Sequence, residues 1–147
     1  MTKARTAVLK VIEEIGTPAS AQMVHEKLGA LCDSATVYRS LHYLEENGDL
    51  DSFILRCSEH GTERYYILGG TGHKHWFHCE VCHKFVDLGT CRVGPLLEEM
   101  GRKNGVSIRR HTLFATGICG ECASFNARAL SNSAPAKAQK PKSVPTA

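Results

Sequence analysis

No stretch of this 147-residue chain approaches the roughly 18–20 consecutive apolar residues that a membrane-spanning helix needs. The opening residues, MTKARTAVLK, lack the apolar core of a secretory signal. Both absences point to the cytoplasm. That compartment disfavours disulfides, so the seven cysteines are expected to be metal ligands and free thiols. A strong excess of basic charge is also missing. The net charge is +3, and residues 1–68 carry seven Lys/Arg against ten Asp/Glu, while the remainder carries eleven against five. Charge alone therefore does not announce a nucleic-acid partner, and such a reading must rest on local placement.

The apolar pattern supplies that placement. Ala7, Val8, Val11, Ile12 and Ile15 recur at helical spacing, and Gly16-Thr17-Pro18 ends that helix. Ser20 is a suitable cap for a second helix over 21–31, with Met23, Val24, Leu28 and Leu31 on one face. Asp33 or Ser34 caps a third, in which Val37, Leu41 and Leu44 form the apolar stripe and Gly48 the stop. Two β-rich segments follow, 50–56 and 63–68, with turn residues at 59–62. Three short helices and a hairpin predict a winged helix-turn-helix. Its third helix would enter the major groove, so Ser34, Thr36, Tyr38 and Arg39, with Lys3 and Arg5 flanking the first helix, are the candidate DNA contacts.

Gly69-Gly70-Thr71-Gly72 reads as a hinge. Beyond it, strands are expected at 75–79, 84–88 and 106–116, with a helix at 95–104, giving a small domain with an antiparallel sheet. The boundaries are 1–68 for the winged helix, 69–74 for the hinge and 75–123 for the second domain. An Ala/Ser/Pro/Lys-rich tail over 124–147 is expected to be disordered.

The strongest chemical signal is Cys79-x-x-Cys82 paired with Cys119-x-x-Cys122. Each turn presents two thiolates to one ion, and two turns close a tetrahedral zinc shell with no open position. The 36 residues between Cys82 and Cys119 must be folded so that the pairs meet. His73-x-His75 is a second candidate, because alternate residues on a strand face one side and imidazole suits zinc, iron, nickel and copper. An enzyme must be weighed as well. His78-Cys79-Glu80 followed by Cys119-x-x-Cys122 has the skeleton of a zinc deaminase. Ile118 stands where that signature has proline, and Cys79 and Cys82 would lack a role. No βαβ pattern supports a thioredoxin-like redox pair either.

Ala35-Thr36-Val37-Tyr38-Arg39-Ser40-Leu41, Leu44-Glu45-Glu46-Asn47-Gly48, His73-x-His75 ahead of Cys79-x-x-Cys82, and Ile118-Cys119-Gly120-Glu121-Cys122 together resemble the ferric uptake regulator superfamily, over about residues 2–123. The resemblance implies an α+β protein: a winged helix followed by a small α/β dimerisation domain with an antiparallel sheet and a four-cysteine structural zinc site. It implies a homodimeric, metal-dependent transcription factor, usually a repressor, that binds palindromic double-stranded DNA operators when a regulatory metal is bound. The family's structural zinc positions fall on Cys79, Cys82, Cys119 and Cys122. Its regulatory positions fall on His73 and His75, if one extra residue is allowed before Cys79, and on Asp51, Asp87 and His111. Thr17-Pro18-Ala19 and Tyr66-Ile67 lack the histidine and glutamate common in iron and peroxide sensors. Those departures favour the zinc-sensing (Zur-like) branch, with Zn2+ ahead of Fe2+ or Mn2+; an iron or peroxide sensor is the alternative. Cys57 and His60 belong to the hairpin tip, where Cys57 is expected as a free thiol, and His78 and His83 as bystanders.

Overall fold

The computed structural model describes residues 1–70 and 74–130, with residues 126–130 as backbone only. Helix α1 (Lys3–Ile15) ends at Gly16, whose φ of 68° is the left-handed value that glycine adopts without strain. Strand β1 (Ala19–Ser20) leads into α2 (Ala21–Leu28), capped by the Ser20 hydroxyl accepting from the Met23 N–H at 3.3 Å. The chain then makes one 3₁₀ turn, so α2 stops three residues short of the predicted Leu31, which lies 79% exposed. Asp33 caps α3 (Ser34–Glu46), accepting from the Thr36 N–H at 2.8 Å. Strands β2 (Leu50–Cys57) and β3 (Gly61–Leu68) form the hairpin, with β1 on its other edge in the order β1-β3-β2.

These helices enclose the main core. Val8, Ile12, Val24, Val37, Leu41, Leu44 and Leu50 are all 2% exposed or less. The apolar stripes of α1, α2 and α3 meet here, which is why the helical spacing was readable in the sequence. Met23 is the exception, 40% exposed on the outer face of α2. At the exit of the hairpin the Gly69 N–H donates to the Asp49 carbonyl at 2.9 Å. A Cβ at Gly69 would collide with the Gly48 carbonyl oxygen, so the strand end and the helix end lie backbone against backbone.

The second half holds β4 (Lys74–Cys79), β5 (Phe85–Thr90), α4 (Gly94–Asn104), β6 (Phe114–Gly117) and α5 (Gly120–Leu130), with sheet order β5-β4-β6. Three expectations need correcting. The sheet is mixed rather than antiparallel: β5 runs antiparallel to β4, and β6 runs parallel to it. Strand β5 already returns the chain to the starting end of β4, where Thr90 pairs with Lys74, and β6 sets out from that same end after α4. The strand predicted over 106–116 forms only at Phe114–Gly117, because Val106 and Ile108 have no neighbouring strand and lie 57% and 42% exposed. Helix α5 also runs through 124–130, past the predicted start of the tail. The rest of the tail, 131–147, and residues 71–73 of the hinge lie outside the described residues.

The halves touch through aromatic rings. Phe53 on β2 stacks on Tyr65 at 6.0 Å within the hairpin, and meets Phe85 at 6.2 Å and Phe114 at 6.0 Å across the divide.

Candidate metal centres

The parallel pairing of β6 with β4 explains how distant cysteines meet. Cys79 ends β4 opposite Gly117 at the end of β6, and Cys119 follows two residues later. The Glu80 N–H donates to the Gly117 carbonyl at 2.8 Å, and the Cys119 N–H to Cys79 Sγ at 3.3 Å. Both Cys-x-x-Cys turns thus leave the sheet at one end. The sulfurs of Cys79, Cys82, Cys119 and Cys122 all lie within 4.8 Å of one another, and Cys82 to Cys119 is 3.7 Å. A zinc tetrahedron with ~2.3 Å bonds has sulfur–sulfur edges of about 3.8 Å, so the cluster already has the size of that shell.

The thiols are electrostatically unequal. The backbone N–H groups of Cys82 and Cys119 hold the Cys79 thiol down to about 6. Hydrogen bonding to Cys119, with burial, pushes Cys122 up to about 12. Four adjacent thiols cannot all ionise beside one another. A divalent cation at their centre removes that conflict, because it binds the thiolate form of each.

A second group lies where β4 leaves the hinge. His75, Cys91 and His111 place their ligand atoms within 4.8 Å of one another, with His111 Nε2 3.3 Å from Cys91 Sγ. The His75 ring is buried, and its Nδ1 donates to the Leu113 carbonyl at 2.9 Å. That bond selects the tautomer whose lone pair is on Nε2, the usual support of a ligating imidazole. The register between β4 and β5 slips between Lys74 and Trp76, so His75 sits on an irregularity of the strand. Such bulges re-aim side chains next to functional sites.

The predicted regulatory residues divide here. His75 and His111 come together. Asp51, on β2, lines the same cleft of about 1070 Å³ as His75, Cys91 and His111 but is not part of their cluster. The Asp87 carboxylate is engaged by Lys74 Nζ at 2.8 Å and by the Gly89 N–H at 2.7 Å, and the lysine holds it below the usual carboxylate range. His73 lies outside the described residues. Cys91 is the member that the sequence did not single out, since no spacing motif connects it to His75 or His111.

On α3, Ser34, Tyr38 and Arg39 face solvent, as does Lys3 on α1. Thr36 is committed within the chain: its hydroxyl donates to Asp33 at 2.9 Å and accepts from Arg39 at 3.1 Å. The Arg5 guanidinium lies over the Tyr43 ring at 3.4 Å.

Residues 1–116 match the model of the ferric uptake regulator family. The chain belongs to that family. The ferric uptake regulation protein of Escherichia coli strain K12 is 25% identical over 125 residues, covering 82% of each chain. The ferric uptake regulator from Francisella tularensis with iron shares the fold at a TM-score of 0.67 and 23% identity, over 84% of this chain and 93% of that one. A zinc uptake regulator complexed with zinc and DNA does so at a TM-score of 0.59 and 23% identity, over 86% and 85%. Membership makes this chain a metal-responsive transcription regulator and not an enzyme. The geometry agrees, since His78 packs against Phe85 at 4.9 Å and does not enter the cysteine cluster that a deaminase would need it to join. Among the described residues, no helix is long and apolar enough to cross a membrane.

Proposed function

We propose that this ferric uptake regulator family member is a cytoplasmic, zinc-responsive repressor that binds palindromic DNA operators as a homodimer. One observation carries the choice of metal: the cleft group contains a thiol, Cys91 Sγ, 3.3 Å from His111 Nε2. Thiolate with imidazole suits zinc, whereas manganese and ferrous iron prefer more oxygen. The four-cysteine group is the structural zinc site, closed and permanent. His75, Cys91 and His111 form the regulatory site, with Asp51 and His73 as the remaining candidate ligands. Asp87 would join only by exchanging Lys74.

The second half supports a dimer. Val106, Ile108, Leu113 and Phe114 are all at least 38% exposed, and exposed apolar side chains gathered in one segment are what a partner surface would cover. In this division residues 1–68 read DNA, 69–74 connect, and the part from 75 onward dimerises and binds metal. Ser34, Tyr38, Arg39 and Lys3 are the groups best placed for the groove and its phosphates, with Thr36 and Arg5 positioning α3.

The test is operator binding titrated with buffered metals. Zinc should promote binding at a far lower free concentration than manganese or ferrous iron, and by linkage the operator should tighten zinc binding by the same factor. His75→Ala with His111→Ala should leave a folded dimer that keeps its tightly held zinc and ignores added metal. Unfolding of that variant, or an equal response to iron, would overturn the assignment.

A further inference from the structure

A third group of ligating side chains lies away from both sites. Cys57 closes strand β2 at the wing tip, and His60 stands at the end of the turn that follows. Cys57-x-x-His60 is itself a spacing that suits two ligands of one ion. His83 comes from the other half, directly after Cys82, and is the only described non-glycine residue with a positive φ, 60°. That backbone conformation is uncommon outside glycine, and here it accompanies a ring turned toward the wing.

The distances are those of a coordination shell. Cys57 Sγ lies 3.4 Å from His83 Nδ1 and 3.7 Å from His60 Nδ1. A tetrahedral zinc with bonds of ~2.3 Å to sulfur and ~2.05 Å to nitrogen separates those ligands by about 3.6 Å. The two rings stand at 90° with centroids 4.8 Å apart, and the three ligand atoms lie within 4.8 Å of one another. The far nitrogen of His83 is 2.7 Å from a Glu59 carboxylate oxygen. A carboxylate accepting from Nε2–H fixes the tautomer and leaves the Nδ1 lone pair facing the sulfur, which is how a ligating histidine is commonly braced. Cys57 is 8% exposed while His60 is open to solvent, so the group is reachable by an ion and still shielded on its thiol side.

We propose that Cys57, His60 and His83 bind a zinc-class divalent cation that clasps the wing to the second half, with Glu59 orienting His83. This site goes beyond the regulatory reading above, since it shares no ligand with the cleft group or with the four cysteines. An ion here ties the wing hairpin directly to the loop of the first Cys-x-x-Cys turn.

The experiment uses the full chain, reduced and loaded with structural zinc, carrying Cys91→Ser and His111→Ala to silence the cleft. Cobalt is titrated in and its thiolate charge-transfer band followed. One cobalt per chain should bind through one thiolate. Adding Cys57→Ser should abolish that band, and Glu59→Gln should weaken binding about 10–100-fold, the usual cost of losing an outer-shell partner. Zinc content and far-UV circular dichroism report whether the fold survives. The exposed Glu59→Gln keeps the test decisive should loss of the buried thiol unfold the wing. Zinc should also slow amide exchange at 57–63 and 80–84 together. Absence of the cobalt band in the silenced protein, or binding indifferent to both substitutions, overturns the proposal.

Discussion

Phe53 supplies two of the ring contacts between the halves, and its removal has a calculable effect. It makes two ring contacts across the divide, to Phe85 at 6.2 Å and to Phe114 at 6.0 Å. Aromatic pairs at such spacing contribute roughly 0.5–1.5 kcal/mol each beyond area burial. Phe53→Ala should therefore weaken docking of the halves by about 1–3 kcal/mol, or roughly 5- to 150-fold in the equilibrium between docked and separated halves. Tyr65 on Phe85 at 4.9 Å survives the change, so docking weakens without disappearing. A double-mutant cycle with Phe114→Ala, read by urea unfolding of metal-free protein, isolates one pair. The coupling should be about 0.5–1.5 kcal/mol. A coupling within the roughly 0.3–0.5 kcal/mol scatter of independent sites would show that the rings merely lie near one another.

Leu41→Ala, at a position with no exposure, should cost about 2–5 kcal/mol and lower the thermal midpoint of the winged helix. Ser20→Ala should remove the α2 cap and cost about 0.5–2 kcal/mol by urea titration. If the four-cysteine cluster holds structural zinc as proposed, Cys79→Ser should release it, measured by metal analysis, and weaken the proposed dimer with it. Asp33 should impose a pH dependence. The Thr36 N–H and hydroxyl hold its carboxyl below the ordinary 3.8, so its contribution is present above that value and lost as pH falls through the lower folded one. The stability gap between wild type and Asp33→Asn should accordingly close in strong acid.

The first half was more legible in the sequence than the second, for a physical reason. Helices α1 and α3 each bury one stripe against a local core, so Val8, Ile12, Leu41 and Leu44 repeat at the helical period. Residues 106–113 alternate like a strand but have no neighbour in a single chain, and the pattern alone does not say what they pair with. The parallel return of β6 was equally hidden, since periodicity carries no information about strand direction. Among ligands, the Cys-x-x-Cys turns were visible because both members of each pair are close in sequence. Cys91 and His83 were not, because each finds its partners only through the fold, His111 lying 20 residues from Cys91 and Cys57 lying 26 from His83.

The backbone contact of Gly69 with Gly48 sets where this molecule has slack. With Gly69 held to Asp49 and no room for a side chain between them, the end of the hairpin is fixed against the end of α3. On the proposed reading, a movement at the cleft would reach α3 through this joint rather than be taken up within it. In a screen of random substitutions, position 69 should tolerate change as poorly as a cysteine of the four-cysteine cluster, although Gly69 is not part of it.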